Sequence, residues 1–271
     1  MRIKVEDFDL NSILFSGACF RAVLEEDGSI SNILKDRVIN IKQDGNYLIV
    51  ESSRYEDLEN VIKDYFDLNR DYDEINNSLV LENPELSDMV LKCKSYRILN
   101  QDSFEMCISY IISQNNNVKR ISKSIDMLCQ KYGKKINFKN KYYYLFPTYE
   151  ELVNIDSDTL KEFGVGFRDK YIIDFISKYP LMKDINKLST EESLAELMNV
   201  KGIGMKVASC ILLFGYKRLD VFPIDTWVRQ YMVSHYDVVD NQKEIEKFTK
   251  NKFREYSGLV IQYMFHSQRN I

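Results

Sequence analysis

Two glycines around one apolar residue, Gly202-Ile203-Gly204, separate two apolar stretches, Leu197-Met198-Asn199-Val200-Lys201 and Met205-Lys206-Val207-Ala208-Ser209-Cys210. Glycine reaches backbone conformations that a Cβ forbids, so this spacing permits a tight helix-to-helix turn. Ile203 is expected to point inward and lock the two helices. The first turn of the second helix then presents free N–H groups at the positive end of its dipole, which suit a phosphate. Taken alone, Gly-x-Gly is also a common plain turn between helices, so its surroundings matter.

Lys206 stands two residues past the second glycine, near the expected helix start. Nineteen residues beyond Lys206 comes Asp225, within Phe222-Pro223-Ile224-Asp225-Thr226-Trp227. Pro223 breaks the preceding helix, and Asp225 can cap the next one. A lysine and an aspartate sharing a cleft form a chemical pair. A neutral amine attacks a sugar carbon to give a Schiff base, and a carboxylate stabilises positive charge building on the sugar ring. A solvated lysine and a simple capping aspartate are the bland alternatives.

Residues 1–52 read as strands. Val38-Ile39-Asn40-Ile41 and Tyr47-Leu48-Ile49-Val50 alternate in polarity, with Asp44-Gly45 between them and Asp27-Gly28 earlier as hairpin signals. From about residue 55 the period becomes helical, as in Leu58, Val61, Ile62 and Tyr65. Pro84 suits a first helical turn, and Gly133 and Gly164 suit helix ends. Ser189-Thr190-Glu191-Glu192 forms a capping box. After about residue 100 almost everything reads as helix. The expected fold class is α+β: an N-terminal antiparallel sheet plus helices over 1–99, packed closely on a mostly helical body over 100–271.

The chain has 271 residues, 45% hydrophobic and 29% charged, ordinary for a globular protein. Its N-terminus shows no apolar signal segment and no run is long enough for a membrane span, so a cytoplasmic protein is expected. Five scattered cysteines without a C-x-x-C pair are expected to be reduced and buried, with no metal site. The net charge of −4 argues against coating nucleic acid by bulk charge. Local basic stretches remain: Lys119, Arg120, Lys123, Lys131, Lys134 and Lys135, and later Lys201, Lys206, Lys217 and Arg218. By charge alone, a solvated basic helix face is the favoured explanation of these.

Together the hairpin, Lys206 and Asp225 resemble the helix-hairpin-helix glycosylase superfamily, and within it the 8-oxoguanine DNA glycosylases, over nearly the whole chain. Phe15-Ser16-Gly17-Ala18-Cys19-Phe20-Arg21 is similar to that family's N-terminal Ser-Gly-Gln-x-Phe-Arg. The match gives the Gly17 carbonyl the N7 hydrogen that 8-oxoguanine has and guanine lacks; a strand bulge is the plain alternative for Gly17. Ser113-Gln114-Asn115-Asn116-Asn117-Val118-Lys119-Arg120 resembles the family's Asn-Asn-Asn-x-x-Arg. By that match Asn115 fills the gap left by the extruded base, Arg120 contacts the opposite cytosine, and Asn117 joins the DNA face. Gly164-Val165-Gly166-Phe167-Arg168 is similar to Gly-x-Gly-Tyr-Arg, with Phe in place of Tyr. There Phe167 would wedge beside the opposite base and Arg168 would bond it.

Lys206 matches the family's nucleophile, Asp225 its catalytic aspartate, and Cys210 a cysteine stacked on the oxidised base. Phe265 would stack on the other face. The family's pocket glutamine falls at Ile261, with Gln262 adjacent, and Lys201 stands where family hairpins often have Pro. Gly202, Gly204 and Trp227 complete the expected DNA face. The resemblance implies a bifunctional glycosylase and abasic-site lyase acting on double-stranded DNA, and a monomer is the default expectation. No cofactor is required, and a structural monovalent or divalent cation at the hairpin is left open. An alkylated-purine glycosylase generally lacks the lysine, and an endonuclease III-like enzyme usually has a C-terminal four-cysteine cluster. A non-catalytic helix-hairpin-helix module explains the glycines but not the pair Lys206 and Asp225.

Overall fold

The computed structural model describes residues 1–269. In chain order the N-terminal part comprises β1 (Arg2–Lys4), α1 (Leu10–Leu14), β2 (Val23–Leu24), β3 (Ile30–Ile33), β4 (Val38–Asp44) and β5 (Tyr47–Ser52), then α2 (Leu58–Tyr65), α3 (Tyr72–Glu82) and α4 (Ser87–Cys93). The strands form one antiparallel sheet in the order β1-β5-β4-β3-β2. Along β5 the side chains alternate, Leu48 and Val50 buried and Ile49 and Glu51 exposed, as a two-residue period requires. Asp44 pairs with Tyr47, so the hairpin turn is Gly45-Asn46 rather than the expected Asp44-Gly45. The residues read as strands also contain α1. Asp9 caps it by accepting from the Ser12 N–H at 3.0 Å, and Leu10, Ile13 and Leu14 bury one face. A single helical turn is too short for its period to show in sequence.

The body comprises α5 (Ser103–Ser113), α6 (Val118–Tyr132), β6 (Lys135–Phe138), β7 (Lys141–Tyr144), α7 (Tyr149–Leu152), α8 (Ser157–Glu162), α9 (Asp169–Lys178), α10 (Thr190–Met198), α11 (Met205–Gly215), α12 (Thr226–Tyr236), α13 (Gln242–Phe253) and α14 (Ser257–Arg269). The hairpin β6–β7 departs from the all-helical expectation for this region. It docks on the outer face of the N-terminal sheet: Lys139 Nζ donates to Asn40 Oδ1 at 2.9 Å, Tyr143 Oη to Ser31 Oγ at 3.3 Å, and Lys141 pairs with Glu25. Asn40, an outward position of β4, is consequently buried.

One apolar cluster runs through both parts, joining Ile41 and Val50 of the sheet to Ile108, Leu212 and Tyr263 of the body. Helix α11 lies along α5, and α14 returns to pack on α4. All five cysteines are free and buried. No described helix is long and apolar enough to cross a membrane.

Candidate active site

The turn between α10 and α11 is built as its glycines require. Gly202 has φ +83, and a Cβ there would lie 2.3 Å from the Tyr171 ring. Ile203 is 4% exposed and packs inward with Leu197, Val200 and Val207. Gly204 caps α11 without any side-chain hydrogen bond, and a Cβ there would meet nothing within 4 Å. The first N–H groups of α11 thus lack a side-chain cap and are reached across open space, the arrangement a phosphate needs. Asp174 braces the turn, accepting from the Lys201 N–H at 2.6 Å and from Lys178 Nζ at 2.9 Å. A proline in place of Lys201 would lack the donated hydrogen.

Lys206 lies in the first turn of α11, half-buried, with its Nζ 6.0 Å from the centre of the Tyr110 ring. One turn on, Cys210 is buried. Burial pushes its thiol up; the Lys206 charge pulls it down and the Asp225 charge pushes it up, so both groups lie within electrostatic reach of one sulfur. Asp225 caps α12, one carboxylate oxygen accepting from the Val228 N–H at 2.8 Å. The cap fixes the carboxylate at a helix N-terminus, where the dipole favours its negative charge.

The remaining residues expected in the pocket lie on other elements. Gly17 sits in the loop between α1 and β2 with φ +94, not in a strand, so a strand bulge does not account for it. Phe265 of α14 stacks on Trp227 of α12 at 4.7 Å and 29°. Trp227 stacks in turn on Tyr231, and Tyr231 on His235. Ile261 is fully buried, one turn before Phe265. Gln262 accepts from Tyr96 Oη at 3.5 Å. A cavity of about 670 Å³ opens beside Asp225, lined also by Thr226, Arg229, Gln230 and Gln242, and another of about 600 Å³ lies near Cys19 and Tyr65. Neither is lined by Lys206, Cys210 or Phe265.

The DNA-face residues divide into exposed and bracing groups. Asn115 is exposed with φ +46, and Arg120 is exposed in the first turn of α6. Phe167 is 55% exposed, an edge-on neighbour of Tyr171 at 5.9 Å. Asn117 caps α6, accepting from the Arg120 N–H at 3.0 Å, and Asn116 donates to the Ile112 carbonyl at 3.1 Å. Two of the three asparagines therefore have structural employment. Arg168 departs from the expected contact with the opposite base. It is 5% exposed, its Nε donating to the Gln114 carbonyl at 2.8 Å, Nη1 to Val165 at 2.8 Å and Nη2 to Asn115 at 3.0 Å. In this structure it holds the Asn115 turn in place. Tyr110, under Lys206, was not singled out from the sequence; its place five residues before Asn115 in an apolar stripe made it look like ordinary core.

The chain is similar to known proteins over nearly its whole length. Residues 1–107 match the 8-oxoguanine DNA glycosylase N-terminal domain, and residues 108–255 match the HhH-GPD superfamily of base excision DNA repair proteins. The two matches meet inside α5. A probable N-glycosylase/DNA lyase of Methanothermobacter thermautotrophicus is 27% identical over 99% of this chain and 96% of its own length. A solved structure of MBOgg1 with a low-affinity DNA ligand superposes with a TM-score of 0.93 at 37% identity, covering 99% of this chain and 95% of that one. The Clostridium acetobutylicum 8-oxoguanine glycosylase/lyase, solved with double-stranded DNA containing cytosine opposite 8-oxoguanine, superposes with a TM-score of 0.91 at 36% identity, covering 98% and 93%. The chain belongs to the 8-oxoguanine DNA glycosylase family, within the HhH-GPD superfamily of base excision DNA repair proteins.

Proposed function

We propose that this glycosylase/lyase excises 8-oxoguanine from duplex DNA with Lys206 as nucleophile and Asp225 as the stabilising carboxylate. The observation that carries the reading is that Lys206, in the first turn of α11, and Asp225, the cap of α12, both lie within electrostatic reach of the buried Cys210 sulfur one turn past Lys206.

The duplex would bind across the α10–α11 turn and the Asn115 turn, with backbone N–H groups on phosphate, and the damaged nucleotide would rotate out of the stack. Asn115 and Phe167 would occupy the gap, and Arg120 would meet the opposite base. Phe265 would leave Trp227 and close on one face of the base, with Cys210 on the other. The Gly17 carbonyl would accept from N7–H. Guanine presents an N7 lone pair instead, so two acceptors would face each other.

The Lys206 amine, once deprotonated, attacks C1′. The N-glycosidic bond breaks and its electron pair leaves with the base, which takes up a proton. Positive charge developing on the sugar is stabilised by Asp225. Ring opening of the Lys206–C1′ adduct gives an imine. Loss of a C2′ proton then expels the 3′ phosphate, nicking the strand. A Phe rather than a Tyr at 167 removes one hydrogen-bonding group from beside the opposite base, so selectivity for cytosine is expected to be weak.

The test is a set of duplexes carrying one 8-oxoguanine opposite C, A, G or T, with a 3-methyladenine duplex as the control for the alkylated-purine reading. Excision of 8-oxoguanine with little dependence on the opposite base supports the proposal. Excision of the alkylated base alone overturns it.

A further inference from the structure

Ile261 stands where the family resemblance places a glutamine, and it is fully buried, so this wall offers no amide to the Watson–Crick edge of a guanine. A polar side chain on another element lies beside Lys206. Tyr110 of α5 is 5% exposed. Its ring stacks on Phe214 of α11 at 5.8 Å and 12°, and meets Phe20, three residues past Gly17, edge-on at 5.8 Å. Lys206 Nζ lies 6.0 Å from the ring centre. These contacts fix the ring and leave the hydroxyl as its one uncommitted group. Among the described residues that hydroxyl makes no hydrogen bond to protein, and it is not one of the side-chain atoms sealed from solvent without a partner (Arg21 Nε and Nη1, Ser109 Oγ), so its oxygen keeps accessible space beside it.

Burial pushes the Tyr110 phenol far up, and its electrostatic neighbours are Cys210, Tyr96 and Cys19. Cys210 is one wall of the pocket, and Cys19 follows Gly17 by two residues. Tyr96 donates to Gln262, which lies three residues before Phe265 on α14. The Tyr110 ring therefore lies between Phe20, in the segment that follows Gly17, and the helix that carries Lys206 and Cys210. A hydroxyl with accessible space and no protein partner on a ring held this firmly is free to take a ligand group in place of water.

We propose that Tyr110 is a specificity-determining residue that hydrogen-bonds the Watson–Crick edge of the flipped purine, where Ile261 has no polar atom to offer. This rests on the reading of the site as an oxidised-purine pocket. A phenol both donates and accepts, so it can donate to O6 or accept from N1–H or the exocyclic amine. Its loss would leave a buried polar group of the base unpaired.

The test is Tyr110→Phe, which removes one oxygen and keeps the ring that packs on Phe214 and Phe20. Two reactions are measured: excision from an 8-oxoguanine duplex, and strand cleavage at a preformed abasic site, where no base occupies the pocket. The expected result is a fall of about 10- to 100-fold in kcat/KM for excision, with abasic-site cleavage within about twofold of wild type. In parallel, the preference for 8-oxoguanine over 8-oxohypoxanthine, which lacks the exocyclic amine, or over another edge-altered analogue should shrink. Unchanged excision, or an equal fall in both reactions, overturns the assignment, the latter marking a purely structural role. A wild-type protein that cleaves abasic DNA but leaves 8-oxoguanine in place removes the parent reading and this one with it.

Discussion

Gly202→Ala tests whether the hairpin turn is built as described, because two costs can be separated there. The backbone at Gly202 has φ +83, and an L-residue in the left-handed region costs about 1–2 kcal/mol. The added Cβ would lie 2.3–2.6 Å from three atoms of the Tyr171 ring, and overpacking of that kind costs about 1–3 kcal/mol more. The ring cannot retreat freely, since Phe167 packs edge-on against it. The sum, about 2–5 kcal/mol, corresponds to a fall in Tm of roughly 5–20 °C for a chain of this size. Urea unfolding followed by far-UV circular dichroism measures it. The same substitution in a Tyr171→Ala background removes the clash and should cost only the left-handed part, about 1–2 kcal/mol, giving a clear coupling energy. Equal losses in both backgrounds would show that Tyr171 is not what requires glycine, and no loss in either would refute the turn.

Gly204→Ala makes the contrasting case. Its Cβ enters open space, so stability should change by no more than about 1 kcal/mol, the difference between Gly and Ala at a helix N-cap, while affinity for duplex DNA at low salt falls because the Cβ stands where a phosphate approaches. A stability loss without an affinity loss contradicts this. Trp227 is the one tryptophan of the chain and stacks on Phe265; binding of a lesion duplex should alter its emission, Phe265→Ala should produce a comparable change without DNA, and an emission indifferent to both argues against the movement. Glu105 is buried with the Arg21 guanidinium 3.9 Å away, and burial raises its carboxyl to about 7 from an ordinary 4.5. A raised folded value means that its contribution is full below about pH 4.5 and lost as pH rises to about 7, a span on the order of 3 kcal/mol at 1.4 per pKa unit. Glu105→Gln should flatten the stability profile between pH 5 and about 7; urea midpoints that keep the wild-type slope would exclude Glu105 as its source.

The parts of the site visible in sequence are those that a backbone requirement marks. Gly202-Ile203-Gly204 announces a turn because only glycine reaches the conformation observed at 202. Asp225 announces a cap because Pro223 ends what precedes it. The helices α5 and α11 are legible as apolar stripes, and the capping box at Ser189 forms as expected. Less is visible where tertiary packing decides. The hairpin β6–β7 rests on the outer face of a sheet about a hundred residues earlier, and its own Tyr142-Tyr143-Tyr144 run is short. Arg168 looks like a DNA contact in a motif, yet its partners are carbonyls of the turn that carries Asn115. Tyr110 is indistinguishable from core until Lys206 is seen above its ring. A stripe position reports burial, not what the buried hydroxyl faces.

The central claim is that the Lys206 amine forms a bond to C1′ of the damaged nucleotide. Borohydride reduction of the enzyme on an 8-oxoguanine duplex tests it most directly, with Lys206→Gln beside the wild type and binding measured for both. The wild type should yield a covalent protein–DNA adduct whose modified residue is Lys206, and the variant should bind the duplex yet yield none. An adduct formed by Lys206→Gln at the wild-type level, or mapped to another lysine, would contradict the account.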